Sequence, residues 1–192
     1  MSIFPRLAPA SGWVTRFAPL VARDRTVLDV ACGNGRHSRL FSERGNQITA
    51  VDIDLRGIAD LANLPNVTCV KADLEGTLWP FGDQKFGAII VTNYHHRPLL
   101  PTYLAALEPD GVAIYEGYAV GNQRFGNLAT NVLLRSGELL EWAQGAMRVV
   151  AYEHGEVSSP KAAVVQRMVA IKDAPSLAGH GHEPPVQPLP SL

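Results

Sequence analysis

Val27-Leu28-Asp29-Val30-Ala31-Cys32-Gly33-Asn34-Gly35 is the stretch that decides the fold. A β-branched apolar run ends in a Gly-x-Gly turn, and Arg36-His37-Ser38-Arg39-Leu40-Phe41 reads as the opening of a helix. A second apolar run, Ile48-Thr49-Ala50-Val51, stops on Asp52, seventeen residues after Gly35. Strand, tight turn, helix and a second strand tipped by a carboxylate make a unit that holds an adenosine-type ligand. Its glycines let the backbone approach the ligand, and its carboxylate accepts hydrogen bonds from ribose hydroxyls.

Outward from that unit, strands are predicted at Thr26–Ala31, Gln47–Asp52, Val67–Lys71, Phe86–Thr92 and Gly111–Glu116. Segments that can be helical lie between them, at Arg36–Arg44 and Pro101–Leu107, with Gly45 as a stop signal. Strands alternating with helices imply an α/β fold with parallel pairing. The pattern changes after Glu116. A Gly- and Asn-rich loop, Gly117–Asn127, leads to a helical segment expected from Leu133 to Gln144. Two β-rich runs follow, Met147–Val157 and Ala162–Lys172, and the polar Ser158-Ser159-Pro160-Lys161 between them predicts an antiparallel hairpin.

The chain divides into a lead-in at residues 1–24, a domain at 25–173 and a tail at 174–192. In the lead-in, Trp13, Val14 and Phe17 are spaced for one face of a short helix. The tail is rich in Pro, Gly, Ser and His, a composition that cannot pack a core, and its His180 and His182 read as solvated. No metal site is expected. At 192 residues and 46% hydrophobic, the chain suffices for one well-buried domain. Seventeen Lys and Arg against eighteen Asp and Glu give a net charge of −1, and no basic stripe indicates a nucleic-acid partner. Cys32 and Cys69 are expected to be buried free thiols, as in a reducing cytosol. With no signal-peptide pattern and no apolar run near the ~20 residues a bilayer requires, a cytoplasmic location without membrane contact is expected.

A dinucleotide fingerprint would need a third glycine three residues after Gly35, where this chain has Ser38. The pattern Asp29-x-Ala31-x-Gly33-x-Gly35 instead resembles motif I of the class I S-adenosylmethionine-dependent methyltransferases, with Ala31 standing where that family usually has glycine. The Trp13 lead-in, the Ala-Cys-Gly-Asn-Gly turn and Asn93-Tyr94-His95-His96-Arg97-Pro98 look most like the small bacterial tellurite-resistance type. The resemblance runs from about Trp13 to Lys172. It implies a Rossmann-like three-layer sandwich built on a mostly parallel seven-stranded sheet with an antiparallel C-terminal hairpin. It also implies S-adenosyl-L-methionine as methyl donor and transfer by in-line displacement to a small-molecule acceptor, in a monomer or homodimer.

The same resemblance places cofactor contacts at Asp29, Ala31, Gly33, Asn34, Gly35, Asp52, Ile53, Asp73, Leu74 and Asn93. Asp52 would hold the ribose. Asp73 would meet the adenine amino group beside Leu74, or would merely cap the turn that follows it. Asn93 and Tyr94, at the end of the fourth strand, would lie beside the methionyl part. His95 or His96 could serve as general base, since imidazole titrates near neutral pH, with Tyr94 as the third candidate catalytic residue. Arg97, Arg124 and Arg135 are candidates for an anionic substrate, and Glu116 and Tyr118 follow the fifth strand to the same rim. Trp13 could lid the site. Two other classes stay open: a nicotinamide-dependent oxidoreductase, and an S-adenosylmethionine-binding protein without turnover.

Overall fold

A computed structural model describes residues 8–76, 78–126, 128–174 and 189–190. The apolar run Thr26–Val30 forms β1, whose last four residues are all buried. Burial on both sides explains why the strand reads as continuous apolar sequence instead of alternating. Its neighbours are β2 (Gln47–Asp52) and β4 (Phe86–Thr92), both parallel to it, with Val30 opposite Val51 on one side and Val91 on the other. Beyond them lie β3 (Val67–Lys71), β5 (Leu107–Tyr118), β6 (Met147–Val157) and β7 (Ala163–Lys172), giving the order β3-β2-β1-β4-β5-β7-β6. β7 runs antiparallel to both β5 and β6, so the expected hairpin closes the sheet. The strand order turns back at β1 and β4, and in open sheets of this kind the crevice at such a point receives ligands.

Side chains alternating along the strands build two cores. On one face Val27, Ile48, Ala50 and Ile90 pack with Trp13, Val14 and Phe17 of α1 (Gly12–Phe17) and Phe41 of α2 (Arg36–Glu43). On the other, Leu28, Val30, Ile89 and Val91 pack with Tyr103 of α3 (Leu100–Ala106) and Leu139 of α4 (Glu138–Ala143). Helices on both faces of a mostly parallel sheet are the three layers expected.

Several boundaries differ from the sequence expectation. β1 stops at Val30 because Ala31 takes φ +49°, which no strand accommodates. The helix expected over 133–144 shrinks to α4. Leu134 instead pairs with Ala119 as extended chain, and Gly137, at φ +76°, stands outside the helix as its cap. β5 begins at once after α3 and runs 107–118 instead of 111–116. The β2–β3 crossover holds only two 3-10 turns, Leu55–Ile58 and Leu61–Asn63. Cys32 is buried and Cys69 half-buried, both as free thiols. The tail beyond Ala174, with His180 and His182, lies outside the described residues except for 189–190. Among the described residues no helix is long and apolar enough to cross a membrane.

Candidate functional site

The turn after β1 is built on left-handed backbone. Ala31, Gly33 and Gly35 have φ of +49°, +57° and +69°, values that glycine adopts without strain. Gly35 has a second reason: a Cβ there would meet Ile58 Cγ2 at 2.6 Å, so α2 could not start so close to the 3-10 turn. Around Gly33 a Cβ would meet nothing, which leaves open space over the turn. The Gly33 amide donates to Asp52 Oδ2 (2.8 Å), and the Asp54 amide donates to Oδ1 (3.0 Å), so the turn is tied to the end of β2. A carboxylate has about four lone-pair positions, and two remain for a ligand.

Asp29, one turn of chain below, serves α2. Its Oδ2 accepts from the Ser38 amide (2.9 Å) and the Ser38 hydroxyl (2.6 Å), capping the helix from a neighbouring strand. Ser38 thus occupies the third-glycine position with a hydroxyl that Asp29 uses. Asp29 Oδ1 is buried with no partner, and burial pushes the Asp29 pKa up to about 6.

Outside the ends of β1, β2 and β4 opens a cavity of about 480 Å³, lined by Ala31, Asp52, Ile53, Ala72, Asp73, Leu74, Glu75 and Tyr94. Ile53 and Leu74 contribute apolar surface and Asp52 and Asp73 contribute carboxylates. Asp73 Oδ1 accepts from the Glu75 amide (2.9 Å), so it caps its turn and also lines the cavity. Asn93 sits at φ +55°, with its amide donating to the Glu116 carbonyl (2.9 Å). This conformation, which asparagine tolerates better than most residues, carries the chain from β4 across the crevice. The Tyr94 hydroxyl has no hydrogen-bond partner, and burial together with the Glu75 and Asp73 carboxylates raises its pKa.

A second cavity of about 190 Å³ adjoins the first, sharing Glu75 and Tyr94 with it. A third, of about 550 Å³, lies between the lead-in, Arg36, Asn93 and the β6–β7 turn, with Trp13 in its wall. Ser11 fixes the lead-in there. Its amide donates to His37 Nε2 (3.2 Å) and its hydroxyl donates to Glu116 Oε2 (3.0 Å). Burial lowers the His37 pKa to about 3, so the ring is neutral and can accept.

The two histidines part company. His95 turns inward, its side chain 1% exposed, with Nδ1 2.8 Å from the Tyr115 hydroxyl and Nε2 3.3 Å from Glu138 Oε1. Burial lowers its pKa against the pull of Glu138. His96 is half-buried, 3.8 Å from Glu75. The candidate arginines all have carboxylate partners: Arg97 pairs with buried Glu138, Arg124 with Glu156, and Arg135 with Glu138 and Glu141. Glu116 is engaged by Ser11 and by Arg167 (2.8 Å). Sequence reasoning passed over Glu75, two residues after Asp73, and Arg36 and His37 beside the glycine turn. Their position directly after recognised motif residues was the available signal.

The arrangement is that of a class I methyltransferase fold, and residues 27–111 match the methyltransferase domain family. Among solved structures, TehB from Haemophilus influenzae superposes with a TM-score of 0.69 at 18% identity, over 86% of this chain and 64% of TehB. The chain thus spans under two thirds of that protein's length. The 1,6-didemethyltoxoflavin-N1-methyltransferase of Burkholderia thailandensis, solved with 1,6-didemethyltoxoflavin and S-adenosylhomocysteine, gives 0.62 at 23% identity, over 84% of this chain and 76% of that one. The N-methyltransferase NodS of Bradyrhizobium japonicum gives 0.63 at 12%, over 83% and 94%. No curated protein matches the chain in sequence.

Proposed function

We propose that this protein transfers a methyl group from S-adenosylmethionine to a small-molecule acceptor. The observation that carries the reading is the 480 Å³ cavity at the turning point of the sheet, where the carboxylates of Asp52, Asp73 and Glu75 converge with the apolar side chains of Ile53 and Leu74. In this reading Asp52 accepts from the ribose hydroxyls, Ile53 and Leu74 enclose the adenine, and Asp73 accepts from its amino group. Ala31 and the Gly33-Asn34-Gly35 backbone border the methionyl part together with Asn93 and Tyr94. Asp29 acts from behind, by fixing the start of α2 through Ser38.

The bound donor supplies an already activated methyl group on sulfur, so the chain's task is alignment. Holding two reactants in line can lower a barrier by up to roughly 7–11 kcal/mol. Tyr94 and Glu75 line both cavities, with His96 3.8 Å from Glu75, and these are the groups placed to handle a proton. His95 is better read as a support for the 93–97 segment, since its ring faces Tyr115 and Glu138. The 1,6-didemethyltoxoflavin bound in the similar Burkholderia thailandensis methyltransferase supports a small acceptor. A nicotinamide cofactor is disfavoured by Ser38, whose side chain and amide are taken by Asp29.

Calorimetric titration with S-adenosylhomocysteine and, separately, with NAD tests the reading. Micromolar binding of the first and none of the second is expected. NAD binding alone would replace the donor assignment with a redox one.

A further inference from the structure

We infer that the 190 Å³ cavity beside the donor site is the acceptor pocket and that its substrate is a compact amine. The inference rests on the donor assignment above and extends it to the other reactant. The cavity lies between the 93–95 segment after β4, Gly117 and Tyr118 at the end of β5, and the Leu128 and Val132 side chains. Tyr94 and Glu75 line both cavities, so the small one adjoins the large one at these two side chains.

Size comes first. An apolar cavity of about 150 Å³ takes up benzene. The present one, at about 190 Å³, admits a single ring or its aliphatic equivalent with one polar group.

Charge decides the polar group. Of the carboxylate and imidazole side chains lining the cavity, Glu75 is the one with free surface, 58% exposed, while the His95 ring is 1% exposed and turned to Glu138. Among the described residues no lysine or arginine lines it. Apart from the donor's own sulfonium, an anionic acceptor would meet no cation among the described lining residues and would have to approach the Glu75 carboxylate. An amine meets the opposite condition. As an ammonium it pairs with Glu75 on entry and passes its proton to that carboxylate, and from there to solvent. The nitrogen lone pair then forms the N–C bond while the C–S pair returns to sulfur. The unit positive charge moves from the sulfonium to the nitrogen, and the product methylammonium sheds a proton by the same route. A carboxylate that lines both cavities stands beside the charge before and after transfer.

The test uses protein loaded with S-adenosylhomocysteine and three matched ring probes: benzylamine, benzyl alcohol and benzoate. Calorimetry is expected to show benzylamine binding at least tenfold tighter than either partner, with N-methylbenzylamine formed when S-adenosylmethionine is supplied. Glu75→Gln should collapse the amine's advantage over the alcohol to under threefold. Val132→Trp, outside the donor cavity, should abolish benzylamine binding and leave S-adenosylhomocysteine binding in place. Benzoate binding best, no benzylamine binding, or benzylamine binding that survives Val132→Trp would each overturn the proposal. Failure of S-adenosylhomocysteine to bind the unmodified protein would instead remove the donor reading on which it stands.

Discussion

Asp52 and Asp29 lie on neighbouring parallel strands, yet their surroundings set them different tasks. Asp52 is partly exposed at a strand end, with two lone-pair positions unspent. Replacing it with alanine should weaken S-adenosylhomocysteine binding more than tenfold, as a titration would show. Unchanged affinity would remove it from the site. The fold itself would lose on the order of 1 kcal/mol from the two amides it caps. Asp29 is buried, its pKa pushed up to about 6 from the ordinary 3.8. The folded protein therefore binds a proton that the unfolded chain releases between pH 4 and 6, and this carboxyl makes stability fall as pH rises through that window. Asp29→Asn, which keeps an acceptor for Ser38, should gain on the parent at up to about 1.4 kcal/mol per pH unit there and level off above it. Urea unfolding at several pH values measures the difference; a flat difference would mean that Asp29 titrates normally.

Among the elements, α1 shows how a short helix is held by chemistry distant in sequence. Six residues form no stable helix alone. Ser11 caps it from its own side chain (3.2 Å to the Trp13 amide) and ties it to His37 and, 105 residues away, to Glu116. The bond to His37 requires a neutral ring. With a folded pKa near 3 against an ordinary 6.5, His37 contributes stability that is complete above pH 6.5 and is lost as pH falls toward 3. The expected slope is about 1.4 kcal/mol per unit, and His37→Gln should lack it in the same unfolding series. The strand-turn-helix unit, the tip at Asp52 and the closing hairpin were legible in sequence, because each depends on local backbone preference or on a period of apolar residues. The inward turn of His95 was not. It follows from Tyr115 and Glu138, brought together by β5 and α4, and no local pattern around His95 records them. The fate of Arg97 was hidden for the same reason: its carboxylate lies 41 residues on. The helix expected over 133–144 begins only at Glu138, because Leu133 closes a 3-10 turn and Leu134 pairs with Ala119 just beyond β5.

At the scale of the molecule, the two cores are unequal in extent along the sheet. β1 and β4 are covered on both faces, whereas β3 has one buried residue of five and lies at the edge beyond a crossover of two 3-10 turns. Local opening takes the least-buried, least-paired backbone first. In deuterium exchange, amides of Val67–Lys71 and of the Ala72–Glu75 segment that follows should therefore exchange well before those of β1 and β4. Adding S-adenosylhomocysteine should slow them most, because Asp73, Leu74 and Glu75 would then have a ligand to hold. Uniform protection across the sheet would contradict this. On the proposed donor reading, the thin cover over β3 would make the adenine side of the crevice the part that opens first. Donor entry and product departure would then pass by the outer strand, while the glycine turn beside the fully covered β1 would keep its shape between turnovers.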